Sequence, residues 1–219
     1  MTTIDGAMLT FDSCAPLHPP VKFASKAIRA AMSIVFIISG PSGSGKSSLV
    51  ELLLRFVPGL DFSVSYTTRP PRGSERDGDE YFFVTCDEFE RMVAANEFLE
   101  YANVFGHSYG TARRSLDQAE AQGHDLLLDI DVQGALQLKE KIPDTISIFV
   151  LPPNREELES RLQNRGLDAE GVIQRRLAVA SYEMTNYREY DYVLVNKRLE
   201  ECADELRKIV LSERKRRSR

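Results

Sequence analysis

The clearest chemistry in the sequence lies in a short segment rich in glycine and serine. Residues 40–47 read GPSGSGKS and fit the pattern G-x-x-x-x-G-K-[ST] at every fixed position. An apolar segment precedes it and a helical pattern follows, so its backbone N–H groups and the helix N-terminus can surround a phosphate. The alternative is a turn that only joins a strand to a helix; the complete set of fixed positions favours the nucleotide site.

Two side chains of this loop have predicted roles. Lys46 can reach the β- and γ-phosphates of a nucleotide, and the Ser47 hydroxyl can ligate Mg²⁺. ATPases, GTPases, kinases and binding modules share such loops, so a second site must decide the reaction. The predicted nucleotide-binding residues here are Gly40, Pro41, Ser42, Gly43, Ser44, Gly45, Lys46, Ser47 and Ser48.

A second group of cations lies in the segment TTRPPRGSERDGDEYFFV, residues 67–84. Arg69 and Arg72 can bracket one phosphate dianion, and the Tyr81 hydroxyl can donate a third hydrogen bond. The alternative is a solvated loop of mixed charge, because acidic residues such as Glu75 and Asp77 follow the arginines. The residues alone leave both interpretations open.

A third group of cations lies on a helical pattern near the C-terminal third. Arg161 and Arg165 are four residues apart, a repulsive spacing on a helix unless an anion lies between them. Glu157 and Glu159 could instead neutralise them on a solvated face. This spacing is a weak indication of a ligand.

Alternating strand and helix patterns must position these residues. This alternation predicts a parallel sheet with helices on both faces, interrupted by a mixed segment over residues 62–109. The predicted strands are 34–39, 126–130, 146–151 and 192–195, with 62–65, 81–84 and 99–104 in the mixed segment. The predicted helices are 46–56, 86–95, 113–122, 133–141, 155–164, 170–187 and 199–214.

Composition bounds the class of protein. The chain has 219 residues, 42% of them hydrophobic, enough for one sizeable core but not for two large domains. The net charge of −5 disfavours a general polyanion binder, so we expect no specific nucleic-acid partner. The longest apolar run, 34–38, predicts no membrane span or partner. Three widely spaced cysteines favour a reducing, cytoplasmic location. The oligomeric state is not predicted.

Six ordered motifs make the sequence similar to the guanylate kinases, which phosphorylate GMP with ATP. The similarity extends from about residue 33 to about residue 208. The motifs are GPSGSGKS, FSVSYTTRPPRG with Gly78 and Tyr81 beyond it, EFLEYANVFGHSYGT, LLLDIDVQGA, RLQNRG with RRL eleven residues on, and a VN pair before the last helix.

The resemblance implies a P-loop NTPase fold in the α/β class. It comprises a parallel β-sheet core flanked by helices, an inserted mixed α/β GMP-binding subdomain and a helical lid. The implied divisions are a flexible extension 1–31, with Met32 as an alternative start, a kinase domain 32–212 and a basic tail 213–219. Within the domain, the core is 32–63, 111–154 and 181–212, the GMP-binding subdomain 64–110 and the lid 155–180.

The resemblance also implies residue roles. Arg69, Arg72, Tyr81 and Tyr109 would hold the GMP phosphate. Ser65, Glu100, Thr111 and Asp131 would read the guanine, and Asp129 would lie near both GMP and the Mg²⁺, which it would contact through water. The implied catalytic residues are Lys46, Arg72, Arg165 and Arg176, and Arg161 and Asn196 would contact ATP.

Chemistry supports the role of Glu100. A carboxylate can accept hydrogen bonds from both N1–H and the 2-amino group of guanine, whereas adenine presents an acceptor at N1. Because an unpaired buried carboxylate is costly, discrimination of about 10⁴-fold follows.

Three positions depart from the family pattern. Lys197 replaces an Asp usual after Asn196, which bears on adenine selectivity. Leu167 replaces a usual Thr, and Gly171 stands where an acidic residue is common, so both bear on lid motion.

The expected reaction transfers the γ-phosphoryl group of ATP to GMP, and by extension to dGMP, with Mg²⁺ as cofactor, and so contributes to GTP supply and GMP recycling. Two alternatives remain at this point. One is an inactive guanylate-kinase-like module that binds phosphopeptides, and the other is a P-loop kinase that acts on a sugar phosphate.

Overall fold

The computed structural model of the chain describes residues 33–164 and 170–218, apart from the side chains at 164 and 170–175. The predicted extension 1–31 lies outside the described residues. So do the catalytic candidate Arg165 and its neighbour Leu167.

Strands and helices alternate along most of the described chain. The strands are β1 (Val35–Ser39), β2 (Leu60–Phe62), β3 (Tyr66–Thr67), β4 (Phe82–Phe83), β5 (Phe98–Val104), β6 (His107–Ala112), β7 (Asp125–Asp129), β8 (Ile146–Leu151) and β9 (Tyr192–Val195). The helices are α1 (Lys46–Phe56), α2 (Cys86–Ala94), α3 (Arg113–Gln122), α4 (Val132–Lys141), α5 (Arg155–Asn164), α6 (Glu170–Met184) and α7 (Leu199–Arg217), with a 3₁₀ helix at Thr185–Glu189.

The main sheet has the strand order β2-β7-β1-β8-β9, and all its pairings are parallel. Every residue of the central strand β1 is buried, because apolar helices cover both faces of the sheet. Helices α1 and α7 pack on one face, and α3 and α4 pack on the other. The predicted α/β fold is thus confirmed. The loop after β1 lies at the carboxyl edge of the sheet, where such folds bind ligands.

A second, four-stranded sheet has the order β4-β3-β6-β5. Two details of its prediction were wrong. The expected strand 62–65 is displaced, because Leu60–Phe62 pairs with β7 and Leu60 joins the main core. Strand β6 was not predicted at all. Its sequence HSYGTA has low strand propensity, yet it pairs with β3 on one side and β5 on the other, and this pairing outweighs propensity.

Helix α7 runs beyond its predicted end and includes most of the segment expected to form a basic tail. Glu213 is buried there. The Arg214 guanidinium donates to Asp125 Oδ2 at 2.7 Å and to the carbonyls of Pro58 and Gly59. These bonds attach the helix to the start of β7. Among the described residues, no helix is long and apolar enough to cross a membrane.

Candidate functional site

The loop between β1 and α1 folds tightly at its glycines. Gly45 has a left-handed φ of 92°, and a Cβ atom on it would lie 2.4 Å from the Asn196 amide nitrogen. Glycine is therefore required there for two reasons, backbone conformation and space. The Lys46 ammonium donates to the carbonyl of Gly40 at 2.8 Å, so it folds back over the loop whose N–H groups would surround a phosphate.

Asn196 braces this loop from the far side. Its amide nitrogen donates to the Ser44 carbonyl at 2.9 Å, and it is buried. Arg161 donates to the Asn196 carbonyl at 3.2 Å and to Glu157 at 2.8 Å. Glu157 thus neutralises Arg161 here, as the sequence allowed. The adenine contact expected of Asn196 stays a prediction, while its structural contact is with the loop.

Asp129 lies between the loop and the second sheet. It ends β7, and its Oδ1 is 3.9 Å from the Lys46 ammonium. Burial raises the pKa of Asp129 and Lys46 opposes that rise. On the other side, burial and the nearby Asp129 charge raise the pKa of Tyr81 to about 12. Asp129 therefore connects two predicted clusters.

The donors near the loop fit Mg²⁺. The Ser47 hydroxyl is exposed at the start of α1, and Asp129 supplies a carboxylate at the end of β7. Both are oxygen ligands of the kind that Mg²⁺ prefers, and this ion usually takes one or two protein ligands and completes its shell with water and phosphate oxygens. No cluster of three or more potential metal-ligating side chains occurs within 33–164 and 170–218.

The predicted phosphate-binding residues converge on Arg69. Its guanidinium is 5.2 Å from the centre of the Tyr81 ring, and the Tyr81 and Tyr109 rings meet edge to face at 5.7 Å. Arg69 is 5% exposed. Burial lowers its pKa and hydrogen bonds to Glu75 and Tyr109 raise it, with a net rise. A buried cation beside two hydroxyls is suited to hold a phosphate dianion.

Two strands of the second sheet bring Glu100 and Thr111 together. They are cross-strand partners on β5 and β6, and Tyr109 shares the face of Thr111 because alternate residues of a strand point the same way. The Thr111 hydroxyl donates to Glu100 Oε1 at 2.5 Å. Glu100 is 3% exposed, and burial raises its pKa to about 7, with the Asp131 charge adding to the rise.

The start of α4 completes the pocket around Glu100. Asp131 caps the helix by accepting from the Gly134 N–H at 2.9 Å. A Cβ atom on Gly134 would lie 2.3 Å from Glu100 Oε2, so only glycine leaves room for this carboxylate. Two buried or partly buried acids therefore meet a helix N-terminus, which favours negative charge.

The remaining predicted residues lie around these clusters. Ser65 precedes β3 and is half-buried, and its carbonyl accepts from the Phe82 N–H. Arg72 is exposed in the loop after β3, and Arg176 is half-buried on α6. Ser48 is exposed in the first turn of α1, Lys197 is exposed after β9, and Gly171 lies in α6.

Three residues that lie near the site were not assigned from the sequence. Gly134 lies within the quoted LLLDIDVQGA motif, but its need for space depends on Glu100, which is distant in sequence. Glu75 was considered only as one of the acids that would make this segment a solvated loop, and it was given no role in the site. Glu183 on α6 gave no sequence signal; burial raises its pKa to about 7, Lys46 lowers it and Asp131 raises it.

The buried carboxylate should make the protein less stable above pH 7 than at pH 4.5. The pKa of Glu100 is about 7 in the folded chain against an ordinary 4.5, so the native state binds more protons between these values and stability falls as pH rises through them. We expect Glu100→Gln to gain about 3 kcal/mol in free energy of unfolding at pH 8, and little at pH 4.5. Urea unfolding at both pH values measures this. Glu90→Gln, on the exposed face of α2, is the control; an equal gain at both pH values for Glu100→Gln would contradict the assignment.

Comparison with known proteins gives a consistent set of relatives. The sequence model of the family described as guanylate kinase matches residues 32–213. A guanylate kinase of Koribacter versatilis is 60% identical over 187 residues, which cover 84% of this chain and 80% of that protein. A guanylate kinase of Escherichia coli K12 is 49% identical, over 86% and 92% of the two chains. The crystal structure of guanylate kinase from Anaplasma phagocytophilum has a TM-score of 0.69 and 35% identity, over 84% and 87%.

Proposed function

Because this chain belongs to the guanylate kinase family, we propose that its loop, its second sheet and its helices α5 and α6 divide one reaction among them. The enzyme transfers the γ-phosphoryl group of ATP to GMP and yields ADP and GDP. The observation that carries the assignment of roles is the buried Glu100–Thr111 pair, set beside the Arg69 cluster on the same small sheet. One sheet thus offers a base reader and a phosphate holder.

The second sheet would bind GMP. Arg69, Tyr81 and Tyr109 would hold its phosphate, with Arg72 on the open side. Glu100 would accept from N1–H and the 2-amino group of guanine, while the Thr111 hydroxyl donates to Oε1 of the same carboxylate. Ser65 and Asp131 complete the proposed guanine set. In the free enzyme the pKa of Glu100 is about 7, and two guanine donors would stabilise its ionised form.

The loop after β1 would bind the ATP phosphates. Its N–H groups and Lys46 face the space at the start of α1, and Asn196 and Arg161 keep its shape through Ser44. Ser47 and Asp129 would hold Mg²⁺, the latter through water. When bound, Mg²⁺ neutralises charge on the β- and γ-phosphates.

The acceptor needs no strong general base. The second pKa of a phosphate monoester is about 6, so the GMP oxygen that attacks is already ionised near neutral pH. The protein must instead bring two polyanions into line and cancel their repulsion. We assign that role to Lys46, Arg72, Arg176 and Arg165, with closure of α5 and α6 over the site to exclude water.

A substrate panel tests this function. With ATP and Mg²⁺, we expect ADP formation, followed in a coupled assay, with GMP and dGMP but not with AMP or ribose 5-phosphate. The comparisons give no support to a phosphopeptide module or a sugar-phosphate kinase. Turnover of the sugar phosphate, or no ATP-dependent loss of GMP, would refute the proposal.

Arg72 gives a second test. Its exposed guanidinium can reach a phosphate held by Arg69, so we expect Arg72→Ala to lower kcat/KM for GMP by about 100-fold, since it removes a charge-assisted contact. The KM for ATP should change little. Steady-state kinetics with each substrate varied in turn measures both. Arg76→Ala, which removes an exposed charge in the same loop, is the control; an unchanged kcat and KM for GMP in Arg72→Ala would exclude this role.

A further inference from the structure

Glu75 has no role in the proposed reaction, yet its carboxylate contacts two arginines of the proposed phosphate site. Its two carboxylate oxygens accept from Arg69, Oε2 from Nη1 at 2.9 Å and Oε1 from Nη2 at 3.0 Å. Oε2 also accepts from the backbone N–H of Arg72 at 2.8 Å, and the Glu75 N–H donates to the Arg72 carbonyl at 3.0 Å. One carboxylate therefore holds the side chain of one phosphate-binding arginine and the backbone of the other.

The geometry of the Arg69 guanidinium shows which of its N–H donors Glu75 does not occupy. The group has five N–H donors, two on each Nη and one on Nε. Glu75 takes one donor from each Nη, and the Pro70 carbonyl takes the second donor of Nη1 at 2.8 Å. Glu75 and Pro70 leave the other edge of the plane, formed by the Nε–H and the second N–H of Nη2. Tyr109 also hydrogen-bonds Arg69, so its hydroxyl and a phosphate would share this edge.

Burial explains why a carboxylate is needed beside Arg69. Only 5% of this arginine is exposed, and a buried cation without a counter-charge is costly. Before GMP binds, Glu75 supplies the charge, and the ion pair lowers the pKa of Glu75 against the effect of its burial. The guanidinium is thus fixed in orientation before the ligand arrives.

We propose that Glu75 is a positioning residue of the GMP phosphate site, which holds Arg69 by one edge, orders the turn that carries Arg72, and presents the other edge of Arg69 to the phosphate. This inference rests on the proposed function. It gives a role to an acid that the sequence indicated only as part of a possible solvated loop, and it makes the phosphate site a set of at least three coupled side chains.

The direction in which Glu75→Gln changes GMP binding separates a positioning role from a simple effect of charge. Glu75→Gln removes a negative charge near the phosphate, and charge alone predicts tighter GMP binding. Loss of positioning predicts weaker binding, because a charge-assisted pair is broken and an amide N–H then faces the guanidinium. We expect the KM for GMP to rise about tenfold or more, with a smaller change in kcat and none in the KM for ATP.

The matched control is Glu80→Gln. Glu80 is an exposed acid of the same loop, and its carboxylate also accepts from a backbone N–H, that of Arg76 at 2.8 Å, but makes no contact with Arg69. We expect its KM for GMP to stay within about twofold of the parent value, as for a surface substitution. Equal increases in both variants would overturn the proposal.

A ligand without phosphate distinguishes positioning from general damage to the sheet. Guanosine should inhibit the parent enzyme and Glu75→Gln with the same inhibition constant, because it contacts only the base-reading residues. In an Arg69→Ala background, Glu75→Gln should raise the KM for GMP by less than it does in the parent enzyme, because only its contact with the Arg72 N–H remains to be lost. A weaker inhibition by guanosine, or an unchanged or lowered KM for GMP, would overturn the inference. Absence of GMP phosphorylation by the parent enzyme would instead refute the proposed function.

Discussion

We expect Lys46→Met to lower kcat by about 10³-fold, the scale of losing a fixed cation at developing phosphoryl charge. The ammonium lies 2.8 Å from the Gly40 carbonyl and 3.9 Å from Asp129, so it is held within the loop that would surround the ATP phosphates. No hydrogen bond described for it reaches the Arg69 or Glu100 clusters, so the KM for GMP should change little. Steady-state assay of ADP formation measures both constants.

Lys208→Met is the matched control for this substitution. Lys208 lies on the exposed face of α7 and pairs with Asp204 at 2.7 Å, so its replacement removes the same charge outside the loop. Its kcat should equal that of the parent enzyme. If Lys46→Met retained more than a tenth of the parent kcat while remaining folded in a thermal melt, the loop would not be the phosphoryl-transfer site.

We expect Glu100→Gln to lower kcat/KM for GMP by about 10³-fold, since a site built to hydrogen-bond its substrate binds it poorly when one partner can no longer accept. The amide would present N–H to a guanine edge that itself carries N–H groups. The Thr111 bond at 2.5 Å fixes the direction of this side chain, so it cannot turn away without losing a partner. The ratio of kcat/KM for GMP to that for AMP should fall with it.

The same substitution should raise stability at pH 8 while it lowers activity. These opposite effects follow from one cause, the burial that raises the pKa of Glu100 to about 7. They also exclude misfolding as the reason for lost activity. Glu90→Gln should change neither quantity; parallel losses of activity and stability in Glu100→Gln would show a purely structural role.

The sequence could predict the parts of the site that depend on local chemistry. The loop before α1 was readable because glycine positions, Lys46 and Ser47 form one short pattern, and its bounding strand and helix were predicted within one residue. The β-α alternation likewise predicted four of the five strands of the main sheet, while the edge strand β2 was assigned to the mixed segment. Local patterns suffice where a ligand is held by contiguous backbone.

The second sheet was harder to predict because its contacts join residues that are distant in sequence. Strand β6 forms through pairing with β3 and β5, so its weak propensity concealed the element that carries Tyr109 and Thr111. The role of Glu75 also depends on a contact that the sequence does not show. Acids after two arginines are consistent with either a solvated face or an ion pair, and only the folded turn shows that Glu75 returns to Arg69. The requirement for glycine at position 134 also appears only with Glu100 in place.

The central claim is that a buried carboxylate on the second sheet reads guanine. A calorimetric titration of the unmodified enzyme with GMP and with AMP at pH 8, where Glu100 is mostly ionised, tests it most directly. The dissociation constant for GMP should be lower than that for AMP by about 10³-fold or more, because adenine leaves the carboxylate facing an acceptor. Equal dissociation constants for the two nucleotides would contradict the claim.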